Sequence, residues 1–100
     1  MQLSPELTKK LAAAVDGMPA FPKSVQRVLE LTRNINSTPK ELVEVIDKDP
    51  VLTVKILKVV NSAYYSLPKQ ITSVGHAVVY MGFNTIKNLA LSIAAIGMLP

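Results

Sequence analysis

The sequence predicts an all-α fold, a compact bundle of about five to six short helices, and three observations predict it. Prolines stand where a first helical turn tolerates them, at Pro5, Pro22, Pro39 and Pro50, and therefore mark four helix starts. Between these starts apolar residues recur at helical spacing. The chain is 49% hydrophobic but only 5% aromatic, with no tryptophan, so Val, Ile, Leu and Ala must fill the core, which suits packed helices. One hundred residues make one helical domain or part of one, with little margin for a core at this size.

The first helix opens at Ser4-Pro5-Glu6, carries Leu7, Leu11 and Val15, and ends near Gly17. Met18-Pro19-Ala20-Phe21-Pro22 is a connector whose second proline opens a helix bearing Val25, Val28, Leu29 and Thr32. Thr38-Pro39-Lys40-Glu41 has an N-cap threonine and a glutamate three residues on, the capping-box arrangement, leading into Leu42, Val45 and Ile46.

Asp49 is an N-cap before Pro50, and the helix that follows is apolar on two faces, Leu52/Ile56/Val59/Val60 and Val51/Val54/Leu57. Only Lys55 and Lys58 form a narrow polar stripe. Such a helix needs neighbours on several sides and belongs at the centre of the bundle. Its tail, Asn61-Ser62-Ala63-Tyr64-Tyr65, has two readings. Asn61 and Ser62 bond the last helical carbonyls while the tyrosines pack the next loop, or Asn61, Ser62 and Tyr65 shape a contact for another domain.

Residues 64 to 72 form an ordered loop, and Ser73 caps the next helix, which carries His76, Ala77, Val79 and Tyr80. Gly82 ends it in the left-handed conformation, and Asn84 caps a last helix from Thr85 to about Gly97. This helix is apolar on one face, Ile86/Leu89/Ala90/Ile93/Ile96, and on another, Leu91/Ala94/Ala95/Met98. The second face would be an exposed apolar patch, and the chain stops at Leu99-Pro100 without a polar tail. The expectation is a fragment, or a homodimer through residues 85–97.

Without cysteine, neither disulfides nor thiolate chemistry can operate, which fits a cytoplasmic setting. Net charge is +4, but nine lysines and two arginines are scattered, a weak footprint for nucleic acid. Residues 1–5 are not a secretory signal. The longest apolar stretch, Leu89 to Leu99, is about half the ~20 residues a membrane-spanning helix needs.

A metal-dependent phosphohydrolase of the HD type needs several His and Asp ligands around one or two ions. His76 is the one histidine and is followed by Ala77, while Asp16, Asp47 and Asp49 fall at helix ends where capping explains them. No phosphate-binding glycine loop or nucleophile with a positioned base is visible. The sequence therefore predicts no catalytic residue, no metal and no cofactor. Residues 38–62 do have helix-turn-helix spacing. Against DNA binding, the second helix opens Pro50-Val51-Leu52, offers base edges only Thr53 and Lys55, and puts Asp47 and Asp49 near phosphates.

At Met18-Pro19-Ala20-Phe21-Pro22, Glu41-Leu42, Asp49-Pro50-Val51-Leu52, Lys55-Ile56-Leu57 and Asn61-Ser62-Ala63-Tyr64-Tyr65 with Leu67-Pro68, the chain resembles the HDOD family, the HD-related output domain of bacterial signalling proteins. Ile71-Thr72-Ser73, His76-Ala77-Val78, Met81-Gly82-Phe83-Asn84 and Lys87-Asn88-Leu89 continue the resemblance, which covers about residues 18 to 99. The resemblance implies the N-terminal half of an HD-like helical domain that lacks HD metal ligands. It also implies a non-catalytic regulatory module whose partners are other proteins or fused signalling domains, with Asp49, Pro50, Asn61, Ser62 and Tyr65 as its motif residues.

Overall fold

Among the described residues six helices follow one another: α1 Pro5–Val15, α2 Pro22–Arg33, α3 Pro39–Asp47, α4 Pro50–Val60, α5 Val74–Met81 and α6 Phe83–Gly97. The structure is a computed structural model that describes residues 4–97. Expectations for Met1 to Leu3 and for Met98 to Pro100 lie outside the described residues.

Four of these helices start where a local side chain catches a free amide. Ser4 Oγ accepts from the Leu7 N–H at 3.1 Å, Asp49 Oδ1 from Leu52 at 3.0 Å and Ser73 Oγ from His76 at 3.1 Å. Thr38 and Glu41 form the reciprocal capping box, with Glu41 Oε1 accepting the Thr38 N–H at 3.0 Å. Each such cap stabilises its helix by about 1 kcal/mol, so these starts are decided by sequence neighbours.

The other two starts are decided differently. Phe21, before α2, has no capping side chain, and its amide is taken by a residue far along the chain, as described below. Gly82 has the positive φ expected of it, +95°, but its ψ of 150° is extended rather than helical. That region is open essentially to glycine alone, and it turns the chain straight into α6 at Phe83. Asn84 therefore lies inside the first turn of α6 and does not cap it.

α4 occupies the centre, packed against α1, α3, α5 and α6, while α2 lies across α3 and α6. Leu52, Thr53, Ile56, Leu57 and Val60 of α4 are fully buried, joined in the core by Val28, Leu31, Leu42, Ile46, Val74 and Ile86. The Cα radius of gyration, 12.5 Å, matches the roughly 13 Å of a compact chain of this length. No helix among the described residues is long and apolar enough to cross a membrane.

Two helices turn a different side to the core from the one their large apolar residues suggest. On α1, Thr8 and Ala12 are buried and Leu7 is 43% exposed. Small side chains let α1 approach α4 closely, and the Thr8 hydroxyl is satisfied by donating to the Ser4 carbonyl at 2.9 Å. On α6 the buried line is Ile86-Ala90-Ala94, which runs between the two expected faces, with Leu89, Leu91 and Ile93 half-buried beside it. Ile96 remains 68% exposed. On α5, Val74, Ala77 and Val78 point inward, whereas His76 and Tyr80 lie outside with their rings edge to face at 6.3 Å.

Candidate functional site

The motif residues sit at the two ends of α4. At its start the Asp49 side chain is fully buried and serves two helices at once. Oδ1 accepts the Leu52 N–H that opens α4, and Oδ2 accepts the Phe21 N–H at 2.8 Å, 28 positions away in sequence. The carboxylate thus caps α4 and fastens the connector before α2. Pro50, exposed at the first helical position, supplies a preset φ where an N–H would have no partner. One turn on, the buried Thr53 hydroxyl donates to the Ile46 carbonyl at 2.6 Å and fixes the junction of α3 and α4.

At the other end, the Asn61 backbone N–H donates to the Leu57 carbonyl at 3.0 Å and so closes the helix, while its side chain is spent on a loop. Its Nδ2 donates to the Ile71 carbonyl and its Oδ1 accepts the Ile71 N–H, both at 2.8 Å. One side-chain amide reads both backbone groups of one residue, as a neighbouring strand would, and closes the loop of residues 62–70. Ser62 contributes through its backbone: its N–H donates to Val59 at 3.1 Å and its carbonyl accepts from Tyr65 at 3.2 Å. Tyr65 is half-buried, edge to face with a Tyr64 that is 86% exposed, the ring centroids 5.0 Å apart.

Replacing Asn61 by alanine is expected to cost about 1–3 kcal/mol, the range for two lost bonds that leave part-buried backbone groups behind. Urea unfolding gives the loss, and amide exchange at Ile71 should rise while the α4 amides stay protected. An unchanged Ile71 exchange rate would rule out the clasp.

The five motif residues do not converge. Asp49 and Pro50 are separated from Asn61, Ser62 and Tyr65 by the length of α4, about 16 Å for 11 residues. Ser62 alone of the five lines a surface groove of about 750 Å³. Its walls are the connector residues Asp16 to Pro19, Lys55, Lys58 and Val59 of α4, and Ile93 and Ile96 of α6. Lys58 Nζ stands 3.8 Å from Asp16 Oδ1, an exposed pair worth little.

This groove is what sequence reasoning missed. Lys55 and Lys58 were legible as a polar stripe and Met18-Pro19 as a connector, but nothing local says that this connector and α6 line one groove with α4. Among the described residues, no three His, Cys, Asp or Glu side chains are grouped so as to hold a metal ion.

An uncharacterized protein of Treponema pallidum (strain Nichols) is 29% identical over 98 residues, which are 95% of this chain and 19% of that protein. Two crystal structures of the MmoQ response regulator from Methylococcus capsulatus strain Bath superpose with TM-scores of 0.68 and 0.69 at 26% identity. The superpositions cover 79% of this chain and 31% of the solved chains, so this chain spans less than a third of each of these relatives. The HDOD domain model matches residues 18–100, from the connector through α6, and the chain belongs to the HDOD family.

Proposed function

We propose that this HDOD domain is a non-catalytic regulatory module of bacterial signal transduction, working in the cytoplasm by packing its helices against another protein domain. One observation carries the reading: the polar motif side chains Asp49 and Asn61 are consumed by internal bonds, while Ser62 lines an accessible, largely apolar groove. Its likeness to a response regulator supports a place in signalling.

The scattering of Asp16, Asp47 and Asp49 over three helix ends supports the absence of HD-type hydrolysis, which gathers several ligands on one or two ions. The helix-turn-helix alternative requires α4 to enter a DNA groove. Thr53, the polar residue it needs early in that helix, is fully buried and bonded to Ile46, and four helices surround α4.

Purified protein incubated with Mn²⁺ is expected to retain no stoichiometric metal by elemental analysis. It should also hydrolyse neither a phosphomonoester nor a cyclic dinucleotide above the buffer rate. Bound metal with turnover that disappears in Asp47→Ala or His76→Ala would overturn the non-catalytic reading.

A further inference from the structure

We propose that the groove between the α1–α2 connector, α4 and α6 receives an amphipathic helix of a partner protein domain, apolar along one stripe and acidic along its flanks. The inference deepens the proposed function and rests on it.

Shape and charge select this occupant. Two turns of helix about 10 Å across and 11 Å long fill roughly 850 Å³, so a groove of about 750 Å³ can seat the face of such a segment. Ile93 and Ile96, three residues apart, form an apolar ridge along one wall, and Ile96 is 68% exposed. The α4 wall is basic: Lys55 and Lys58 line it, and Lys9 of α1 lines the adjoining cavity, which shares Lys58 and Asp16. Neither α4 nor α6 contains an acidic residue, so among the described residues lining the two cavities Asp16, which pairs with Lys58, is the one carboxylate against three lysines.

That excess favours glutamate and aspartate on the incoming helix and disfavours a second copy of the same face. A second copy would bring another lysine-bearing face without added carboxylates, and like charges across an interface repel. The occupant is thus foreign to this surface. Leucine-sized anchors at i, i+3 or i+4 and i+7 would lie along the isoleucine ridge, with carboxylates reaching the lysines.

The test uses two synthetic helical peptides that share a leucine stripe at those spacings, one flanked by glutamates and the other by lysines, followed by fluorescence anisotropy against the 100-residue chain. The glutamate peptide is expected to bind and to shift the methyl resonances of Ile93 and Ile96. Ile96→Glu should weaken it at least about tenfold, and a Lys55→Glu, Lys58→Glu double variant should transfer the preference to the lysine peptide. Both sites are accessible, so circular dichroism should report an intact fold; if Ile96→Glu fails to fold, the charge reversal still decides.

Equal affinity for the two peptides, or binding indifferent to both substitutions, overturns the proposal. So does a dimer in light scattering that Ile96→Glu dissociates, because a second copy would then be the occupant. Failure here leaves the metal and turnover result untouched, whereas metal-dependent turnover would remove the regulatory reading whatever the peptides do.

Discussion

Leu57→Ala is expected to lower the unfolding free energy by about 3–5 kcal/mol, the upper part of the range for leucine truncation in a closed core. Leu57 is fully buried in α4, the helix that α1, α3, α5 and α6 all pack against. A cavity there cannot collapse by moving one neighbour, since those neighbours also hold one another: α3 packs on α5, and α5 on α6. A domain of this size has about 5–15 kcal/mol in total, so the change consumes about a fifth or more of it. The midpoint of thermal unfolding should fall by about 12 °C or more at 4–8 °C per kcal/mol.

Leu7→Ala is the matched control, because Leu7 is the large residue that the sequence pattern places toward the core and the structure leaves 43% exposed. It should cost below about 1 kcal/mol, in proportion to the smaller apolar area lost. Urea or thermal unfolding of the two variants side by side checks both. Equal losses would mean that α1 turns its leucine face inward and that α4 is not the central element.

What the chain discloses about its fold is largely what is settled within a few residues. Ser4, Thr38, Asp49 and Ser73 each cap the helix that follows, and the ends of α3 and α4 are legible because cap, proline and apolar period agree there. The breadth of α4's apolar surface likewise announces a helix with neighbours all round. The facing of α1 and α6 is not legible, because each offers more than one apolar side and the choice falls to whichever lets two backbones come close. Thr8, Ala12, Ala90 and Ala94 win that choice over Leu7 and Ile96 because they are small, a property that hydrophobic periodicity ranks low.

The motif residues illustrate the same boundary. Asp49 is readable as a cap of α4, but its bond to the Phe21 amide spans 28 positions and no spacing rule reaches that far. Asn61 looks like a residue that finishes a helix, and its ten-residue reach to Ile71 becomes visible only once the loop is closed. The groove demands still more, since α1, α4 and α6 must all be docked before Met18, Lys58 and Ile96 line one space.

Asp49→Ala is expected to cost about 2–4 kcal/mol, combining a lost N-cap at about 1–2 kcal/mol with a second buried amide left without its acceptor. Serine and asparagine at the same position separate the two roles. The Asp49→Ser hydroxyl can accept the Leu52 N–H but cannot also reach Phe21, so it should restore the cap and leave the connector untied. The Asp49→Asn side chain keeps one carbonyl oxygen and turns an NH₂ group toward the other amide, a donor facing a donor, so it should recover only part of the loss. In Asp49→Ala and Asp49→Ser amide exchange at Phe21 should accelerate, while protection at Leu52 should persist in Asp49→Ser and fall in Asp49→Ala. Because the connector that Asp49 fastens also supplies Met18 and Pro19 to the groove wall, Asp49→Ser should weaken peptide binding with Lys55, Lys58 and Ile96 all intact. Unchanged unfolding and unchanged Phe21 exchange in Asp49→Ala would remove the tether between the connector and the start of α4.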